Sequence, residues 1–255
     1  MLFHEQLRPK GPVLEPLAFD GLRNFEYSQF HPSEFHIVVG KRSHYMYGFT
    51  HSELKRMGNM TAKQKAKNAQ IQREFGTPPK NSVRDEVARV LQIATAGSKE
   101  VVLHSDEHYI YPRALKRLKH LESIEHHTTS SKAVRHPNNP LFVVNNTDSL
   151  VRHSMSGQKR ETIAFSKLIA SAVSVMWVTV AWKNYVKHVS EQNQRGSPAM
   201  RLGLCKHRIR PMRLLSWRLF PSRIELPTAW VAHYYRLLTT RELPTGLRHT
   251  LRYAV

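Results

Sequence analysis

Val101-Val102-Leu103-His104-Ser105-Asp106 opens on three apolar residues, two of them β-branched, and closes on a carboxylate. Such a run predicts a buried strand. Just before it, residues 82–96 place Val83, Val87, Val90, Leu91 and Ala94 at helical spacing, with Ser82 and Asp85 marking the start. That stripe predicts a helix lying on a sheet. A helix that feeds a buried strand makes a crossover, so 101–106 is expected to run parallel to an earlier strand of the same sheet. The earlier strand is Pro16-Leu17-Ala18-Phe19-Asp20, which also closes on an aspartate. Residues at the carboxyl ends of neighbouring parallel strands face one crevice, so Asp20 and Asp106 are expected to meet.

The rest of the chain builds outward from this pair. His36-Ile37-Val38-Val39 and Tyr45-Met46-Tyr47-Gly48-Phe49 flank Gly40-Lys41-Arg42-Ser43, which predicts a hairpin and, with the first strand, three antiparallel strands. Residues 61–75 are polar and basic throughout and predict an exposed helix ending before Gly76-Thr77-Pro78-Pro79. After Asp106 come a short basic helix at 114–118, a short strand at 123–127 and a loop at 128–140 that holds Lys132, Arg135 and His136. The apolar run Leu141-Phe142-Val143-Val144 then leads to Asn145, and Arg152 follows seven residues later, on the same face of any helix through both. A buried carboxylate is costly unless a cation or several hydrogen bonds compensate it. Two in one crevice are most simply explained by a shared divalent ion.

Val144-Asn145-Asn146-Thr147-Asp148-Ser149-Leu150-Val151-Arg152, followed by Lys159-Arg160-Glu161-Thr162-Ile163-Ala164-Phe165-Ser166-Lys167, carries a further signal. With the two aspartates, it resembles the DDE transposases of bacterial insertion sequences. In the InsB-like and related short branch, the last acidic residue stands in Val-Glu-Arg-x-Asn-x-x-x-Arg, before a basic stretch ending Arg-Lys-Thr-Ile-x-Phe-Ser-Lys. The separations fit as well, 106 − 20 = 86 and 145 − 106 = 39. The resemblance implies an α/β fold, a ribonuclease-H-like mixed sheet flanked by helices, over residues 13–190. Residues 1–12 would be a disordered or truncated remnant, and 191–255 a basic, partly helical C-terminal extension.

The same resemblance implies an activity: metal-dependent DNA strand cleavage and strand transfer. Asp20, Asp106 and Asn145 would be catalytic and would hold Mg²⁺ or Mn²⁺, with Arg152 as the accompanying basic residue. Asn145 stands where the family has glutamate and brings one less negative charge, which implies weak activity. Asp148, one helical turn later, or Glu161 are the alternatives for that place. Lys132, Arg135, Lys159, Arg160 and Lys167 would grip DNA, both insertion-sequence ends and target, and the active form would be a homo-oligomer. The family's N-terminal cysteine-rich zinc module and helix-turn-helix have no counterpart before Asp20, so the chain reads as a truncated or decayed copy, or one whose start lies upstream.

Composition points the same way. There are 39 Lys+Arg against 19 Asp+Glu, a formal charge of +20, which is the footprint of a polyanion partner. The single cysteine, Cys205, excludes an intrachain disulfide and a cysteine-rich zinc ribbon, and suits a reducing cytoplasm. Met1-Leu2-Phe3-His4-Glu5-Gln6 shows no apolar signal core, so a cytoplasmic location is expected. Residues 168–182 carry no charge but are too short to span a bilayer, which predicts a core helix and no stable membrane partner. His104, Glu107 and His108 lack the HExxH spacing of a metal helix. Residues 201–223 mix arginines with Leu, Trp and Phe and predict an amphipathic basic helix suited to DNA. Two other classes remain open: a non-catalytic basic nucleic-acid-binding protein, and a basic membrane-associated protein anchored through 168–182.

Overall fold

The computed structural model describes residues 1–159 and 166–238. Strands β1 (Leu17–Phe25), β2 (Pro32–Gly40) and β3 (Met46–Glu53) form an antiparallel meander. Strands β4 (Glu100–Asp106) and β5 (Ser123–Thr129) then join in parallel, β4 against β1 and β5 against β4. The result is one five-stranded mixed sheet in the order β3-β2-β1-β4-β5, flanked by helices on both faces.

β1 is buried on both faces because its alternation is apolar on both. Leu17 and Phe19 enter one core, with Val87, Val90 and Leu91 of α3 (Ser82–Ala94) and Ala114 of α4 (Tyr111–Leu115). Ala18 and Leu22 enter the other, with Val143, Val144 and Val151 of α5 (Phe142–Ser154) and Val173, Met176 and Val180 of α6 (Ile169–Ala181). The hairpin turn after Gly40 is gripped by the buried Glu15 carboxylate, which accepts the backbone N–H groups of Arg42 and Ser43 at 2.8 Å each. The polar helix α2 (Ala62–Phe75) begins in a Thr61/Gln64 capping box and buries only Asn68.

Three expectations need correction. Asp20 does not close its strand: β1 runs on to Phe25, because β2 keeps pairing with it as far as Phe25↔Pro32. Residues 1–12 are not a loose remnant, since α1 (Leu2–Leu7) buries Leu2, Phe3 and His4, and His4 Nε2 hydrogen-bonds the Tyr47 carbonyl at 3.0 Å. Finally, 201–223 is not one helix. It breaks into the end of α7 (Pro198–Arg201), α8 (Pro211–Ser216) and a 3₁₀ turn (Pro221–Arg223), with Gly203, Pro211 and Pro221 interrupting any longer run. The described part of the C-terminal extension, 191–238, is partly helical and packs on the rest of the chain, with Trp230 of α9 (Thr228–Tyr234) fully buried in the second core. The apolar stretch at 168–182 supplies the 13-residue α6, and among the described residues no helix is long and apolar enough to cross a membrane.

Gly48 allows the closest approach in the second core. Its φ is +157°, and a Cβ there would stand 2.5 Å from Cζ2 of Trp230, whose indole N–H donates to the Phe49 carbonyl at 3.1 Å. Gly48→Ala should therefore lower stability by about 2 kcal/mol through overpacking. In urea unfolding, the midpoint should fall with the slope unchanged.

Candidate active site

The β1–β4 ladder consists of Leu17↔Leu103 and Ala18↔His104. Two residues further along each strand stand Asp20 and Asp106, on the face that Ala18 and His104 share. The bridging stops before them, so the two carboxylates stand where the strands separate. Asp20 Oδ1 accepts the Gly21 N–H at 2.7 Å, and Asp106 Oδ1 accepts the His108 N–H at 3.0 Å. Burial, then the charges of Asp106 and Glu34, push the Asp20 carboxyl up to about 6, against the Gly21 hydrogen bond and the Arg135 guanidinium, which favour its ionised form.

Helix α5 faces this pair with one stripe, Asn145, Asp148 and Arg152, at i, i+3 and i+7. Asp148 has the electrostatic contact. One of its carboxylate oxygens is closed off from solvent with no hydrogen-bond partner, and burial followed by the Asp20 charge holds its pKa well above the usual carboxylate range. Arg152 and Arg135 pull it back. Asn145 lies on the first turn of α5, one turn before Asp148, and its side chain hydrogen-bonds neither aspartate. Arg152 also fastens α5 to the central strand: its Nη2 donates to the Arg23 carbonyl at 3.1 Å and its Nη1 to the Gln158 carbonyl at 3.4 Å.

Two neighbours were missed in the sequence. Glu34 of β2 folds across Gly21, where a Cβ would stand 2.6 Å from its carboxyl carbon, and it pairs with Arg23 Nε at 3.1 Å. Burial raises its pKa, with Arg23 opposing. The buried Tyr111 phenol is held far above its ordinary pKa, first by burial and then by the charges of Asp20, Asp106, Glu34 and Asp148. The charges of four carboxylates, from both sides of the sheet, thus act on one hydroxyl. Alternation along Ser33-Glu34-Phe35-His36-Ile37-Val38 would have placed Glu34 on the buried face of Val38, a glutamate in need of a partner. No periodicity in Ile110-Tyr111-Pro112 marks the tyrosine.

The remaining candidates divide. Arg135 is exposed on the loop after β5, and its charge reaches both Asp20 and Asp148. Lys132 is exposed on the same loop, and Lys159 and Lys167 are exposed on either side of 160–165. Arg160 and Glu161 lie outside the described residues. His104 stacks on His127 with ring centroids 4.9 Å apart, and Lys41 Nζ lies 3.3 Å from its Nε2; burial, then Lys41, lower its pKa to about 4. It thus belongs to a separate patch, upstream of Asp106 on the same sheet face. Among the described residues, no group of three His, Cys, Asp or Glu is disposed to close around a metal ion.

No protein-family model matches the chain, and no curated protein matches it. Among solved structures, it is similar to a chain in the cryo-electron-microscopy structure of the simian T-cell lymphotropic virus intasome in complex with the PP2A regulatory subunit B56 gamma, at 13% identity and a TM-score of 0.36. The match covers 72% of this chain and 55% of that one, so the chain spans about half the length of its neighbour. A likeness this low carries no argument about function.

Crowded carboxylates fix the sign of a pH effect. Asp20 binds its proton more tightly in the folded chain, at about 6, than at its ordinary 3.8, so stability should fall as pH rises from about 4 to about 6 and stay lower above that. Asp148→Asn removes one of the repelling charges. At pH 7 in EDTA it should raise stability by on the order of 1–2 kcal/mol, because a buried like-charge contact disappears. Thermal melting of wild type and variant at pH 4.5 and pH 7 checks this, and a variant less stable at pH 7 would contradict it.

Proposed function

We propose that this chain is a metal-dependent polynucleotidyl transferase of the insertion-sequence transposase type, with a ribonuclease-H-like core, that cuts and joins DNA strands. The observation that supports the reading is the placement of Asp20 and Asp106 two residues beyond the β1–β4 ladder on one sheet face, together with Asp148 of α5, a carboxylate with a partnerless buried oxygen that the Asp20 charge perturbs. The strand order, three antiparallel strands with two parallel ones added to the first, supports the fold half of the reading.

The donors are of the type a hard divalent ion takes, although among the described residues they are not gathered into a closed three-ligand site. All are carboxylate oxygens, one lacks any partner, and their mutual repulsion is what a cation would relieve. Mg²⁺ commonly takes one or two carboxylates together with waters and substrate phosphates, so a closed cage of three protein ligands is not required. Asp20, Asp106 and Asp148 would hold the ion, which when bound supplies Lewis acidity at phosphorus and an acidified water. The chain's own residues do the rest. Arg135, at the rim, offers a fork for a phosphate on a face that would otherwise repel DNA. Arg152 holds α5 against β1 and so sets the position of Asp148. Asp20, titrating at about 6, takes up or gives off a proton near neutrality, so ion binding should release protons and tighten as pH rises through that value.

Asp148 is preferred here to Asn145 as the third ligand, because it brings the charge that a neutral amide lacks. DNA as substrate and a homo-oligomeric active form belong to the same proposal. The test is Mg²⁺- or Mn²⁺-dependent nicking of a supercoiled plasmid. Asp20→Asn, Asp106→Asn and Asp148→Asn should each reduce cleavage by at least about a hundredfold, the scale on which loss of a transition-state charge partner is felt, while Asn145→Ala should change it by less than about threefold. Undiminished cleavage in Asp20→Asn would sink the catalytic reading, and loss in Asn145→Ala with retention in Asp148→Asn would restore the asparagine as ligand.

A further inference from the structure

Residues 198–219 cross the outside of the first core as a strap. Leu202, Leu204, Ile209, Leu214, Trp217 and Leu219 pack inward against that core, and Trp217 meets Phe3 at a ring-centroid distance of 4.9 Å. The backbone is tied down as well: the Ile209 N–H donates to the Tyr185 carbonyl at 2.8 Å. With the apolar side chains committed inward, the charged ones are directed outward. Arg201, Lys206, Arg208, Arg210, Arg213 and Arg218 are all exposed, and no Asp or Glu occurs between 192 and 224. Arg201 and Arg208 donate to the backbone carbonyls of Arg42 and Val186, at 3.2 and 2.9 Å. Among the described residues, none of the six is ion-paired with a carboxylate.

Six cations with no ion-paired carboxylate among them, Glu191 acting electrostatically on Arg208, repel one another, and a polyanion laid along them removes that repulsion. The strap lies on the Leu17/Phe19 side of the sheet, whereas Asp20 and α5 belong to the Ala18/Leu22 side. We propose that this strap is a second polyanion-binding surface, shaped for the phosphate backbone of duplex DNA, so that one chain holds a DNA segment on the side of the sheet away from the carboxylate crevice. The choice of DNA rests on the function proposed above; the surface itself does not. A lipid headgroup layer fits less well. An interfacial segment needs a broad apolar face to enter the bilayer, and the strap leaves only Met212 and Leu215 widely exposed, at 75% and 76%.

The experiment is fluorescence anisotropy of a labelled duplex of arbitrary sequence with the full chain, titrated at several NaCl concentrations in EDTA so that no chemistry occurs. Each phosphate contact contributes a slope of about −0.9 in log K against log salt. The combined Arg208→Gln/Arg210→Gln/Arg213→Gln variant should flatten the slope by about 2 to 3 and weaken binding about tenfold or more near physiological salt, while Arg→Lys at the same three positions keeps the slope. Equal melting curves for the three proteins show that the fold is intact; should the Gln variant melt early, Arg210→Gln alone, expected to flatten the slope by about 0.9, decides. An unchanged slope in the Gln variant overturns the inference. So does co-sedimentation with phosphatidylserine vesicles at physiological salt that the Gln variant loses while its duplex binding stays as in the wild type. Because these readouts need no cleavage, plasmid nicking can fail while the strap result stands, and the reverse.

Discussion

The parallel pairing of β1 with β4 is the contact on which the rest of the molecule depends. It is only two residue pairs long, Leu17↔Leu103 and Ala18↔His104, and it joins segments 86 residues apart, since 103 − 17 = 86. Closing so long a loop is entropically unfavourable. What offsets it is α3, which packs on β3 and β2 and whose Val87, Val90 and Leu91 share one core with Leu17 and Phe19, so that the following chain is laid back onto the sheet. The meander forms from neighbouring segments; the crossover does not. Without it there would be no place for β5 on the far side of β4, and Asp20 would face only its own hairpin.

That pairing has an electrostatic consequence. It brings Asp20 and Asp106 to one face of neighbouring strands, and the charges of Glu34 of β2 and Asp148 of α5 add to theirs in a chain that is strongly positive overall. Arg23, Arg135 and Arg152 offset this without cancelling it, as the raised pKa values of Asp20, Glu34 and Asp148 show. A protein that only had to fold would gain by replacing one of these acids with a neutral isostere. Retaining them stores repulsion that a proton or a cation can relieve. The arginine-rich strap over the first core carries the opposite imbalance.

Much of the fold was legible because it rests on local periodicity. The alternation in 17–20, 36–39 and 45–49, the helical stripe in 82–96 and the turn at Gly40 each follow from side chains within a few residues of one another. The parallel placement of 101–106 beside β1 was legible too, because a crossover restricts where the second strand can lie. Boundaries were not. β1 outruns Asp20 because β2 supplies partners that no residue in β1 announces, and 201–223 splits because Gly203, Pro211 and Pro221 punctuate what composition alone reads as one basic helix.

The sequence by itself determined which residue types alternate, which stripe each helix offers and how far apart the two aspartates stand. Only the tertiary structure decided that Asp148 faces Asp20 from a stripe it shares with Asn145, that Glu34 lies across Gly21, and that the arginine-rich segment turns its leucines inward. The physical reason is the range of the forces. Periodicity assigns a side chain to a face of its own element, but which face meets which depends on how distant elements share one core, and the energy of a buried charge depends on every other charge brought near it.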